Sequence, residues 1–247
     1  MWLSNSSIGR KLVMSISGLF LIVFLALHGT LNLMAVYDAA HIENGQFTTN
    51  IYNEVCEVMS TNLLIQIMVP VLAFGFVIHI IYASILTVQN RKARGNDRYA
   101  SSSKTAVPWN AKNMYVLGII ILGMIVLHLF HFFQHMQLKE WQGKEAALGF
   151  NQIVEVFSNP YIVVAYLIWF VALWYHLTHG FWSALQTIGW NNQIWYKRLK
   201  VIGVIISTVL VLNFVIVAVY FGFFYNGPIY PHEGAVEAIE QTVSSLL

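Results

Sequence analysis

Five long apolar runs without a charged residue divide this chain: Leu12–Val36, Leu63–Val88, Met114–Met136, Tyr161–Ile188 and Val201–Phe224. About 20 helical residues cross the ~30 Å hydrocarbon core of a bilayer. The shortest run has 23, so each is long enough to span with some tilt. Composition points the same way. Hydrophobic residues make up 57% of the chain and charged residues only 10%, where soluble domains carry about 25% charged. Aromatic residues reach 15%, which suits belts at two membrane interfaces. The sequence therefore reads as an all-α integral membrane protein, a single domain over residues 1–247 built as a bundle of five transmembrane helices. The first apolar run has no A-x-A-like site after it, so it reads as a span and not a cleavable signal.

Five spans put the termini on opposite sides, and Lys and Arg choose the sides. Arg10 and Lys11 precede the first span. Arg91, Lys92, Arg94, Arg98, Lys104 and Lys112 lie between the second and third, and Lys197, Arg198 and Lys200 between the fourth and fifth. Only Lys139 and Lys144 fall on the other side. The acids reverse this: Asp38, Glu43, Glu54, Glu57, Glu140, Glu145, Glu155, Glu233, Glu237 and Glu240 lie opposite the basic segments, and only Asp97 lies with them. This asymmetry predicts a cytoplasmic N-terminus and a periplasmic C-terminus. Segments 37–62 and 137–160 then face outward, each with room for a short interfacial helix. Residues 89–113 form a basic inner loop with Ser101–Ser103 as its flexible centre. No repeat, low-complexity tract or soluble domain stands out, and nothing points to nucleic acid.

Histidine carries the functional signal. An ionisable side chain at membrane depth is costly and marks a functional site by default. Each of the first four runs has at least one: His28, His79, His128 (with His131 and His135) and His176 (with His179). The fifth run has none and reads as a packing helix. Depth sorts them further. Counted from each run's midpoint at ~1.5 Å per residue, His28 and His128 sit roughly 5 Å to the outer side, and His79 and His176 roughly 3–5 Å to the inner side. Two layers with two histidines each suit two bis-histidine b-type haems stacked across the bilayer, since haem iron takes axial histidine. The chain has no CxxCH, which excludes covalent c-type attachment, and its one cysteine, Cys56, excludes an intrachain disulfide. Gly75 precedes His79 by one turn and Gly180 follows His176 by one. Each shares a helix face with its histidine and leaves room either for a porphyrin edge or for a neighbouring helix.

Periodicity does not choose among His128, His131 and His135, which share one face; depth favours His128. His135 reads as interfacial, and His131 as placed for a haem propionate or a quinone. His179 stands one turn inward of His176, towards a propionate or the headgroups. His41 and His232 read as ordinary surface histidines.

Local motifs give a resemblance over almost the whole chain. They are Gly9-Arg10-Lys11 leading to Ser15-Ile16-Ser17-Gly18 and Leu27-His28-Gly29; Ile78-His79-Ile80-Ile81-Tyr82; Val126-Leu127-His128; and His176-Leu177-Thr178-His179-Gly180-Phe181-Trp182. The last is the most specific, an H-x-[ST]-x-G-x-W run that closes the fourth span in relatives. In this register the chain resembles the diheme cytochrome b membrane-anchor subunit of succinate dehydrogenases and quinol:fumarate reductases, the succinate:quinone oxidoreductases with a single large anchor. The resemblance implies an inner haem iron on His79 and His176 and an outer one on His28 and His128. It implies two haem b cofactors, with menaquinone or another quinone as substrate. Its partners would be a flavoprotein subunit with FAD and an iron–sulfur subunit, both docked on the cytoplasmic face of the bacterial inner membrane. Succinate chemistry would belong to those partners, and quinone redox and electron transfer to this chain of respiratory complex II. A dimer of heterotrimers is a further expectation.

The same resemblance suggests Ser15, Ser17 and Trp109 near the propionates, and Glu54, Glu57 and His131 near an outer quinone and proton site. Some quinol:fumarate reductases have a proton-transferring glutamate two residues before the fourth-span ligand; here that residue is Trp174, which puts that route in doubt. Two alternatives remain at this stage. One is the diheme anchor of another quinone-linked dehydrogenase, such as a formate dehydrogenase or hydrogenase. The other is a membrane di-metal protein, although the spans lack the carboxylates such sites use.

Overall fold

A computed structural model of the chain describes residues 6–94, 108–190 and 192–230. Asp97, Arg98, Ser101–Ser103, Lys104, His232, Glu233, Glu237 and Glu240 lie outside the described residues, as does the side chain of Arg94. Five helices are long and apolar enough to cross a membrane. They are α1 (Ser7–Ala40), α3 (Leu63–Arg94), α4 (Trp109–His128), α7 (Pro160–Thr187) and α8 (Gln193–Val219). Helices α4 and α8 each continue into a π-helical turn, Leu129–Phe133 and Tyr220–Phe224. Each predicted run falls almost entirely within one of these helices, with extra polar turns at several ends.

The helix starts follow from the sequence. Ser6 caps α1 by accepting from the Gly9 amide at 2.9 Å. Asn62 accepts from the Leu64 amide at 3.0 Å. Asn159 caps α7 just before Pro160, and Asn192 accepts from the Ile194 and Trp195 amides to start α8. These short polar side chains satisfy N–H groups that have no partner inside the helix, and Pro160 sits where its missing N–H costs nothing.

Both outward segments hold short helices, as the sequence suggests. The first contains α2 (Ile51–Thr61), and the second α5 (Gln137–Trp141) and α6 (Gly149–Phe157). A two-residue-per-strand antiparallel hairpin pairs β1 (Ile42–Glu43) with β2 (Gln46–Phe47). It turns through Asn44 and Gly45, both at positive φ, and had no counterpart in the sequence reading. These elements gather at one end of the bundle, called here the capped end. Arg10, Lys11, Arg91, Lys92, Lys112, Lys197, Arg198 and Lys200 gather at the other, the basic end.

The packing defines a four-helix square with one helix outside it. Helix α1 packs on α3 and α7, α4 packs on α7, and α3 meets α4 only lightly; α8 packs on α1 and α7. The diagonals, α1 to α4 and α3 to α7, are not close-packed pairs. The buried apolar core lies mainly along α7, α8 and the capped end, with Phe150, Val163, Tyr166, Phe170 and Phe221 at its centre. Helix α3 contributes no buried residue, and α4 only Leu117. Ile, Leu, Val and Phe side chains stand exposed along all five long helices. An exposed apolar surface of that extent marks a face meant for something other than water.

Candidate functional site

Each diagonal of the square carries one pair of histidines. His28 on α1 faces His128 on α4, with ring centroids 5.8 Å apart and planes at 86°. His79 on α3 faces His176 on α7, with centroids 6.3 Å apart and planes at 66°. The helices behind each pair stay apart while their imidazoles meet near the centre.

Neighbouring contacts set the axial register. An added Cβ at Gly18 of α1 would lie 3.2 Å from His79, and one at Gly118 of α4 would lie 3.8 Å from His176. Gly18 precedes His28 by ten residues and Gly118 precedes His128 by ten, each about 15 Å of helix. On α7 the His128 ring packs against Tyr166 and Trp169, with centroids 6.3 and 6.0 Å away, seven to ten residues before His176. The pairs thus form two levels about 15 Å apart. That is wider than the 8–10 Å implied by counting from run midpoints, because the helices do not begin at a common depth.

Hydrogen bonding prepares the ring at the basic level. Ser17 donates to the Met14 carbonyl at 3.0 Å, and its Oγ lies 3.3 Å from His79 Nδ1. With its own proton committed, Ser17 accepts from His79 Nδ1–H, which leaves the Nε2 lone pair free. Partners of this kind fix the tautomer of metal-binding imidazoles. The Nδ1 of His128 and of His176 is buried without a hydrogen-bond partner. Buried polar atoms are nearly always satisfied, so each of these rings keeps bonding capacity at the centre of the square. His28 differs. Its Nε2 lies 3.3 Å from Asn32 Nδ2, and Asn32 Oδ1 accepts from the Tyr52 hydroxyl at 3.0 Å. Metal ligation through this nitrogen requires Asn32 to release it.

His131 stands beside the capped-level pair, outside it. Its Nδ1 lies 3.0 Å from the Tyr166 hydroxyl, and its carbonyl accepts from Gln152 Nε2 at 2.7 Å. The π-helical turn after His128 leaves that carbonyl open, because the His135 and Met136 amides both bond to Phe132 instead. Gln152 Oε1 and Trp169 Nε1 are also buried and unpartnered. His135 is half-buried and offers its carbonyl to the Ala147 amide at 3.0 Å. Glu54 and Glu57 lie exposed on α2, and neither is hydrogen-bonded to a histidine among the described residues. His41 is partly exposed, stacked on Tyr37 with centroids 4.1 Å apart.

At the basic level, Ser15 is buried. Trp109 is 60% exposed, with its ring 5.4 Å from that of Tyr175. His179 meets Trp182 edge-on at 5.0 Å. Lys200 Nζ sits 4.9 Å from that indole and 4.2 Å from the Tyr196 ring. Gly75 takes the ring of Phe20, where a Cβ would come within 2.8 Å, and Gly180 faces Met114. Trp174 donates to Thr208 Oγ1 at 2.9 Å across the α7–α8 seam.

The contacts that line each histidine pair were largely invisible in the sequence. Ser17 was picked out for a propionate; its contact with His79, like those of Gly18 and Gly118, becomes visible only once the neighbouring helix is known. Tyr166 and Trp169 carry no periodicity of their own in an aromatic-rich span. Asn32 had one signal, a polar amide one turn after His28. No protein-family model, curated protein or solved structure matches this chain.

Proposed function

We propose that this chain is the membrane anchor and electron-transfer subunit of a succinate:quinone oxidoreductase, with two b haems held by His79 and His176 and by His28 and His128. One observation carries the reading: two histidine pairs on the two open diagonals of one bundle, at two levels. A haem at each level would be held by the two imidazoles that face each other there, with ring centres 6.3 and 5.8 Å apart, and would bring its remaining ligands itself.

Bound haem would supply one-electron carriage at each level. The chain's own residues do the rest. Ser17 holds the His79 tautomer, and Gly18 gives that ring room. Tyr166, Trp169 and Phe132 enclose the His128 ring and exclude water. The basic end reads as cytoplasmic by the positive-inside rule, which puts the N-terminus inside and the C-terminus in the periplasm of a bacterial inner membrane. The flavin and iron–sulfur subunits then dock on the basic end. Quinone exchange belongs at the capped end, where His131, Tyr166, Trp169 and Gln152 offer polar atoms beside His128. Glu54 and Glu57, exposed on α2, stand at that end as proton donors from the aqueous side.

The test is spectroscopic. Reduced-minus-oxidised spectra and a pyridine haemochrome assay of the purified chain should give two haem b per chain. His79→Ala or His176→Ala should remove one haem, and His28→Ala or His128→Ala the other. A chain free of haem overturns the proposal. Loss on replacing His131 and not His128 reassigns the third-span ligand. In native membranes, succinate should reduce both haems; reduction by formate or hydrogen alone points to a different dehydrogenase.

A further inference from the structure

Arg91, Tyr115 and Ser84 meet at the basic end, on the loose seam between α3 and α4. Ser84 donates to the Ile80 carbonyl at 2.9 Å, and its Oγ lies 3.3 Å from the Tyr115 hydroxyl. The Arg91 guanidinium carbon stands 5.8 Å from the centre of the Tyr115 ring. The cluster lies just beyond the basic-level pair. Tyr115 precedes Gly118, the residue facing His176, by three positions, and Ser84 follows His79 by five. These offsets are about 4.5 Å and 7.5 Å along the two helices, both towards the basic end.

A guanidinium over an aromatic ring presents its planar fork, which matches a carboxylate; Ser84, its own proton given to Ile80, accepts from the Tyr115 hydroxyl and so holds the ring under Arg91. Charge-assisted bonds of this kind are about twice as strong as neutral ones. Among the described residues no carboxylate fills the site, since every described acidic residue lies at the capped end. Of the residues that the family resemblance points to for this role, Ser17 is already committed to Met14 and His79, and the Trp109 ring is mostly exposed.

We infer that Arg91, seated on the Tyr115 ring that Ser84 anchors, forms a carboxylate site for the group held by His79 and His176. On the haem reading above, on which this inference rests, the ligand is a propionate of that haem.

Redox titration of the purified chain in detergent, without partner subunits, tests it. A cation beside the haem favours the reduced state, so Arg91→Gln should weaken reduction of one haem about tenfold, about 59 mV for a one-electron couple, and leave the other unchanged. Tyr115→Phe should shift the same haem in the same direction by less. Arg91→Lys should fall between wild type and Arg91→Gln. Lys92→Gln, which removes a neighbouring exposed charge, should leave both haems where they were. Loss of that one haem in Arg91→Gln with retention in Arg91→Lys supports the site equally. Two haems with Arg91→Gln indistinguishable from Lys92→Gln overturn it. So does an equal shift of both haems, or a shift that needs the partner subunits. A wild-type chain without haem overturns this site and the proposed function together.

Discussion

At the scale of single residues, Ser17 decides which nitrogen His79 presents. Its hydroxyl is spent on Met14, so it can only accept from the imidazole. On the haem reading, Ser17→Ala should keep both haems yet move the potential of one, because the His79 imidazole loses the partner that sets its basicity; a titration in which both steps coincide with wild type contradicts this. Cys56 gives a pH-dependent prediction. Burial pushes its thiol from the ordinary 9.0 up to about 11, against the lowering effect of the Tyr52 hydroxyl. The unfolded chain therefore loses this proton first, and the contribution of Cys56 to stability falls as pH rises from 9 towards 11. Alkylation by iodoacetamide should be nearly silent at pH 8 and accelerate as pH passes 10; rapid labelling at pH 8 would show an exposed, ordinary thiol. The paired histidines were singled out in the sequence because an imidazole in an apolar run has few innocent explanations. Ser17 was picked out there for a propionate; its contact with His79 and that of Gly18 were not legible, since they depend on which helix packs alongside.

Among the elements, the join between α1 and α2 rests on one carboxylate. Asp38 is 0% exposed. It accepts from the Thr49 hydroxyl at 2.7 Å, the Ile51 amide at 3.1 Å and the Tyr52 amide at 2.8 Å. Asn50 makes no side-chain cap to α2, so Asp38 does the capping from a distance, and its charge complements the helix dipole. Hydrogen bonds to a charged group are worth about 1.5–3 kcal/mol each. Asp38→Asn turns an acceptor-only group into one that must also donate, and should cost on the order of 2–3 kcal/mol. Hydrogen exchange should read this as faster opening of residues 42–61, with α7 unchanged. Tyr230 ties down the same end: its hydroxyl donates to the Thr49 carbonyl at 2.6 Å and its ring stacks on Phe47. The long helices were readable from length and charge alone. The hairpin, the buried Asp38 and the π-helical turn at Leu129–Phe133 were not. The hairpin is local and turns on Asn44 and Gly45, whereas Asp38 and the π-helical turn depend on hydrogen bonds between separate segments, such as Gln152 to the His131 carbonyl.

The molecule as a whole is a square whose open diagonals lie about 15 Å apart along its axis, on the rise of ten helical residues. The sequence supplied four histidines in two layers, His28 with His128 and His79 with His176; packing supplied the diagonals on which they stand and the wider spacing. That spacing has an electrical meaning. It is about half of a ~30 Å hydrocarbon core. A charge crossing the whole membrane meets about 2.3 kcal/mol per 100 mV, so an electron passing between the two levels meets on the order of half of that. Trp174 is an indole bonded to Thr208 and offers no carboxylate to carry a proton beside the electron. On the haem reading, the chain therefore works as a dielectric element as much as a wire. In sealed vesicles, an imposed diffusion potential should redistribute electrons between the two haems and reverse that redistribution when its sign is reversed; a poise indifferent to voltage would place both haems at one depth.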